Sequence, residues 1–251
     1  MKQVDHKNKE GSRIYKSYGL SERDIADALQ TIFKPHGEVQ WKIDSIHPEQ
    51  HIVISVSQVN DQPVTQVLEQ AERAIWDKIG SYIIAVDHEI LEGKVGSILN
   101  NKGLTLAVAE SCTGGLIGNR LTNVSGSSGY FLGGVIAYSN EAKKNLLGVS
   151  PETLRRYGAV SNQTAREMAQ GAQRQFQSRM ALSVTGVAGP DGGSDEKPVG
   201  TVCIGLVADD FISASKYHFQ GSREQVKLES SEMALDWIRR YLNNDPFLPG
   251  L

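Results

Sequence analysis

The chain has 251 residues, of which 39% are hydrophobic and 22% charged, with a formal net charge of -3. That length accommodates two domains with cores of their own, and the residue balance excludes a disordered or fibrous chain. The slight negative charge excludes a broad electrostatic attraction to nucleic-acid phosphates or anionic lipid. Cys112 and Cys203 make neither a disulfide framework nor a Cys-x-x-Cys metal spacing, which fits a reducing compartment. The lead from Met1 to Glu10 is polar and lacks a signal-peptide core, and no stretch reaches the roughly 20 apolar residues that span a bilayer. A cytoplasmic protein with no membrane partner is expected.

In chain order, Arg13 to Tyr18 alternates as a strand does, and Ser21 with Asp24 three residues on predicts a capped helix carrying Ile25, Leu29 and Ile32 on one face. Pro35-His36-Gly37 should end it. Strands are expected at Val39 to Ile46 and Ile52 to Val56, joined through His47-Pro48-Glu49-Gln50. Val64, Val67, Leu68, Ala71, Ala74 and Ile75 have helical spacing up to Gly80, and a strand follows at Tyr82 to Val86. The order β-α-β-β-α-β is that of a small α+β unit, a split βαβ arrangement, over residues 1–87.

From residue 88 to 251 short apolar strands alternate with helices, an α/β pattern. Strands are predicted at Leu104 to Ala109, Gly134 to Tyr138, Ala181 to Thr185, Thr201 to Val207 and Ile212 to Phe219. Helices are predicted near Glu89 to Asn100, Thr113 to Leu121, Pro151 to Tyr157, Gln163 to Phe176 and Arg223 to Leu242, with a short one after Tyr138.

Three strand ends carry chemistry. The first runs into Glu110-Ser111-Cys112-Thr113-Gly114-Gly115, small polar groups at a strand's carboxyl end, where open α/β sheets bind ligands. Backbone N–H groups at the following helix start could hold a phosphate or an oxyanion. The alternative is that Ser111 or Thr113 merely caps the helix. The second is Tyr138-Ser139-Asn140-Glu141-Ala142-Lys143-Lys144, where Tyr138 and Lys143 could face one crevice, or the lysines could be a solvated pair. The third is Thr185-Gly186-Val187-Ala188-Gly189-Pro190-Asp191-Gly192-Gly193, a loop able to wrap a substrate or to serve as turn chemistry alone.

The six histidines, His6, His36, His47, His51, His88 and His218, all lie outside these stretches. A Ser-His-Asp triad and a zinc site are therefore not expected, and neither metal nor cofactor is implied. A serine without a local histidine needs another base. Lys143 is the best-placed one, because desolvation depresses a lysine pKa by up to about 3–5 units.

Ala109 to Gly115, Tyr138 to Lys143, Gly158-Ala159-Val160-Ser161 and Thr185 to Gly193, in that order between about Leu104 and Val207, resemble the CinA family. The likeness is to its C-terminal domain, the PncC-type nicotinamide mononucleotide amidase. The resemblance implies a three-layer α/β/α domain with a mixed sheet, which hydrolyses nicotinamide mononucleotide to nicotinic acid mononucleotide and ammonia. It implies Ser111 as nucleophile, Lys143 as general base, and Tyr138 and Thr185 as assisting groups. Thr113, Gly114, Gly115, Asn140, Gly186, Ala188, Gly189 and Asp191 are candidates for substrate contacts.

The first 87 residues resemble the KH-type domain of longer CinA chains. They contain no Gly-x-x-Gly clamp, and residues 1–90 hold 10 Lys+Arg against 14 Asp+Glu, so nucleic-acid binding is not expected. Longer CinA proteins begin with a molybdopterin-binding-like domain that carries a metal-dependent ADP-ribose pyrophosphatase, an activity not expected of this stretch. The alternative function is a non-catalytic pyridine-nucleotide-binding regulatory module of the competence/damage-inducible type. A homo-oligomer is compatible with either.

Overall fold

In the computed structural model, which describes residues 10–33, 37–57, 63–209 and 211–245, the opening alternation forms strand β1, Glu10–Ser17. Helix α1, Glu22–Ile32, starts at the predicted capping box: Ser21 Oγ accepts from the Asp24 N–H, and the Asp24 carboxylate accepts from the Ser21 N–H. The helix ends at Phe33; the predicted stop at Pro35 and His36 lies outside the described residues, as does the polar lead before Glu10.

Strands β2, Val39–Ile46, and β3, Glu49–Ser57, make the expected hairpin. Its connection is tighter than predicted, because Ile46 pairs with Glu49 and Ser45 with Gln50, leaving only His47 and Pro48 between the strands. Helix α2, Val64–Ile79, and strand β4, Ile83–Val86, complete the unit. The sheet order is β2-β3-β1-β4, antiparallel throughout, so each helix links strands that are not neighbours. Tyr15, Ile25, Leu29, Ile52, Ile54 and Ile75 pack between sheet and helices. Met1–Ile90 forms one unit of the chain and Leu91–Leu251 the other.

The second unit holds α3, Leu91–Lys102; β5, Leu106–Glu110; α4, Leu116–Thr122; β6, Phe131–Ile136; α5, Asn140–Leu147; α6, Pro151–Tyr157; and α7, Asn162–Phe176. After them come β7, Met180–Gly186; β8, Thr201–Ala208; β9, Phe211–His218; and α8, Arg223–Leu242. The five strands run in the order β6-β5-β7-β8-β9. β5 is parallel to both β6 and β7, and β8 and β9 are antiparallel additions. The result is the α/β fold with a mixed sheet.

Ala107, Ala109 and Ala181 meet Met168 and Ala172 of α7, and small residues there let the helix lie close to the sheet. α3, α4 and α8 form the other layer. The three parallel strands end together, with Glu110 opposite both Ile136 and Val184. Every segment singled out as chemical leaves the sheet at that edge.

Arg120 ties the second layer together. Its guanidinium meets Glu92 of α3 at 2.8 Å and Glu232 of α8 at 2.8 Å, and it donates to Ser231 Oγ at 2.9 Å. Its side chain is 12% exposed, so deleting it removes a buried cation that two carboxylates, Glu92 and Glu232, both meet. Arg120→Leu should lower the unfolding free energy by about 3–5 kcal/mol. Urea denaturation checks this, as a lower midpoint with an unchanged slope.

Candidate active site

Ser111 follows β5, and its backbone N–H donates to the Val184 carbonyl of β7 at 2.9 Å. The nucleophile candidate is thereby held against the neighbouring strand. Lys143 sits one turn into α5, whose N-cap Ser139 accepts from the Ala142 N–H. The side chain turns inward: Nζ lies 2.9 Å from Ser111 Oγ and 2.8 Å from the Ala137 carbonyl oxygen. Lys143 is 1% exposed and Ser111 6%. Burial pushes the Lys143 pKa below that of an ordinary lysine, with the neighbouring Cys112 opposing the shift. Burial also raises the Cys112 thiol to about 12, so it stays protonated beside the serine. Lys144, by contrast, pairs at the surface with Glu141.

A cavity of about 250 Å³ opens over this pair, near the lower end of ligand clefts. Its walls include Ser111, Tyr138, Asn140, Lys143, Thr185, Gly186, Ala188, Gly189 and Asp191, which the sequence singled out. Thr185 is buried and spends its hydroxyl on the Ala159 carbonyl at 2.8 Å, fixing the chain before α7 against the end of β7. A Cβ on Gly186 would stand 2.7 Å from the Thr201 carbonyl oxygen, so only glycine lets β7 and β8 close there. Tyr138 is 62% exposed and stands at the rim.

Thr113, Gly114 and Gly115 do not line the cavity. Gly114 at φ +64° and Gly115 at φ +97° turn the chain left-handed, and α4 starts only at Leu116, not at Thr113 as predicted. The cap is neither Ser111 nor Thr113. The Glu110 carboxylate, buried at the end of β5, accepts the N–H groups of Gly115 at 2.9 Å, Ile117 at 3.2 Å and Gly118 at 2.8 Å. Those donors are spent inside the protein, so this helix start holds neither a phosphate nor an oxyanion.

Sequence reasoning also missed Arg223, the first residue of α8. Its guanidinium donates to the Gly189 carbonyl at 2.7 Å and to Tyr138 Oη at 2.9 Å, joining the glycine loop, the rim tyrosine and the cavity. Of the described residues that line the cavity, only Lys143 and Arg223 carry basic side chains. Ser222 caps α8, and nothing local in the sequence marks its neighbour as a site residue. Among the described residues no group of three or more His, Cys, Asp or Glu side chains could hold a metal ion. No helix among them is long and apolar enough to cross a membrane.

The profile of the CinA C-terminal domain matches residues 88–242. A CinA-like protein of Citrifermentans bemidjiense is 42% identical over 94% of this chain and 56% of its own length. One from Syntrophomonas wolfei is 40% identical over 94% of this chain and 57% of its own. The chain thus spans about half the length of the curated relatives it matches. Among solved structures, a CinA superfamily protein of Klebsiella pneumoniae has a TM-score of 0.59 and 32% identity over 61% of this chain and 96% of its own. The competence/damage inducible protein CihA of Agrobacterium tumefaciens has a TM-score of 0.57 and 39% identity, over 61% and 95% respectively.

The state of Lys143 can be read without any substrate. With its folded pKa lowered, the native protein releases this proton while the unfolded chain still holds it. Stability therefore rises with pH between the lowered value and the unfolded value of about 10.4. Urea unfolding of the wild type and Lys143→Met across that range should show the difference moving in favour of the wild type as pH rises. A difference flat with pH would mean that Lys143 titrates as a free lysine.

Proposed function

The chain belongs to the CinA family, and on that premise we propose that its second unit hydrolyses the carboxamide of nicotinamide mononucleotide, giving nicotinic acid mononucleotide and ammonia. The observation that carries this reading is the 2.9 Å separation of Lys143 Nζ from Ser111 Oγ in a buried setting that disfavours the ammonium. A module that only binds a nucleotide needs no such pair.

The neutral Lys143 amine accepts the Ser111 proton while keeping one N–H on the Ala137 carbonyl, and Oγ attacks the amide carbon. The oxyanion needs donors that are not already committed. Ser111 donates to Val184 and Gly114 to Ser111, and Gly115, Ile117 and Gly118 donate to Glu110. The N–H of Cys112, the residue after the nucleophile and one that lines the cavity, is the donor for the oxyanion. As the C–N bond breaks, the Lys143 ammonium returns its proton to the leaving nitrogen and ammonia departs. Water, deprotonated by the same amine, then cleaves the ester and restores Ser111.

Lys143 must be neutral to act, so the substrate phosphate falls to Arg223, whose planar fork suits it. Asn140 and the Gly186 to Asp191 loop face the ribose and ring. Tyr138 steadies Arg223 from the rim.

Ammonia release from nicotinamide mononucleotide tests the reading. The wild type should turn over, Ser111→Ala should lose kcat by about 10⁴-fold or more, and a folded wild type that binds the nucleotide without releasing ammonia would end the proposal. The kcat/KM should rise with pH through the lowered Lys143 pKa, because the base works unprotonated. Arg223→Ala should raise KM for the mononucleotide roughly 10–100-fold, the loss of a charged hydrogen-bonding partner, and leave hydrolysis of the phosphate-free riboside unchanged. Equal losses on both substrates would move the phosphate elsewhere.

A further inference from the structure

Glu110 immediately precedes Ser111 and is 2% exposed, yet the amidase chemistry assigns it nothing. A buried carboxylate is costly unless its oxygens are satisfied, and here both are. Oε2 accepts from Gly115 and Ile117, and Oε1 accepts from Gly118. The turn Ser111 to Gly115 is therefore wrapped around a carboxylate that the chain itself supplies. A Cβ on Gly118 would lie 3.5 Å from Glu110 Oε1, so the helix backbone approaches the carboxylate closely.

The main chain of the same residue leads to the base. The Glu110 carbonyl accepts from the Ala137 N–H at 2.8 Å, and the Ala137 carbonyl accepts from Lys143 Nζ at 2.8 Å. Lys143 Nζ meets Ser111 Oγ, which is joined through its own backbone to Glu110. The ring Glu110, Ala137, Lys143, Ser111 is closed by three hydrogen bonds and one peptide bond.

We infer that Glu110 is a positioning residue for the Ser111 nucleophile: its carboxylate gathers the three N–H groups and so sets the distance of Ser111 Oγ from Lys143 Nζ. It acts through Ser111 and touches no substrate. The inference rests on the Ser-Lys reading of the site, but its test does not depend on the substrate being right.

Two readouts of Ser111 are used. One is ammonia release from nicotinamide mononucleotide. The other is labelling by a fluorophosphonate, in which Oγ bonds to phosphorus, fluoride leaves, and the serine proton passes to Lys143; intact mass and peptide mapping follow it. Glu110→Ala should lower kcat and the labelling rate on the order of 100-fold, the usual cost of a misplaced reacting group, with KM changed less than about threefold. Glu110→Gln, which keeps the shape but offers one acceptor oxygen and an N–H pair facing the backbone donors, should fall between Ala and the wild type.

Sodium formate fits the space vacated in Glu110→Ala and should restore kcat and labelling saturably, while sodium chloride at equal ionic strength should not. A purely structural loss would not be rescued by formate. If Glu110→Ala does not fold, Glu110→Gln decides, a lower kcat at unchanged KM supporting the inference. Wild-type kcat and labelling in Glu110→Gln, or a folded Glu110→Ala that loses activity without formate rescue, overturns it. Labelling of Ser111 without ammonia release would fell the amidase reading and leave this inference standing. Ammonia release without formate rescue would do the reverse, and neither readout in the wild type would overturn both.

Discussion

The second unit is organised around one buried amine. Lys143 is almost fully buried, and its Nζ meets the Ala137 carbonyl oxygen and Ser111 Oγ. Taking a charged ammonium out of water is costly, so the protein holds the group where the neutral form is favoured. That requirement constrains everything near it. α5 must be capped at Ser139 so that its first turn delivers Lys143 to the end of β6. β6 must lie parallel to β5 in a register that sets Ala137 beside Glu110. β7 must flank β5 so that Val184 can hold the Ser111 backbone.

Charge is divided inside the cavity in a way that composition alone does not show. The start of α4, with its partial positive charge, is neutralised from within by Glu110. The one cationic side chain left to face a ligand there, among the described residues, comes from the far end of the unit, on α8. Arg223 reaches Gly189 and Tyr138, so the loop after β7 and the segment after β6 are braced by the same side chain. Arg120, behind the sheet edge, keeps α4 and α8 in place through Glu92 and Glu232. Electrostatics thus builds the scaffold of the site on one side and its ligand-facing wall on the other.

Much of this was legible in the residues. The capping box at Ser21, the period-two strands and the apolar helix faces located nearly every element, because each signal is local. Ser111, Lys143 and Thr185 stood out because short polar groups at the ends of apolar strands have few structural uses, and the absence of a nearby histidine left a lysine as base. What escaped notice was non-local. Glu110 looked like the last residue of a strand, and nothing in its neighbourhood said that a long side chain would double back to cap a helix starting six residues later. Arg223 looked like an ordinary first-turn residue of α8. Thr113 to Gly115 read as a ligand cradle because paired glycines permit that; their positive φ instead delays the helix and turns its donors toward Glu110. Strand ends moved by two or three residues at β6, where the ladder to β5 begins at Phe131 and not at the apolar run the eye picks out.

A Ser111 nucleophile activated by Lys143 requires that lysine to be an amine, not an ammonium, at a pH where other lysines are charged. Nuclear magnetic resonance of protein carrying ¹³Cε-labelled lysine follows each side chain through its titration. One resonance should titrate below the ordinary lysine value of about 10.4 and should vanish in Lys143→Met. If every lysine resonance titrates together near that ordinary value, Lys143 carries its proton throughout and cannot serve as the base for Ser111.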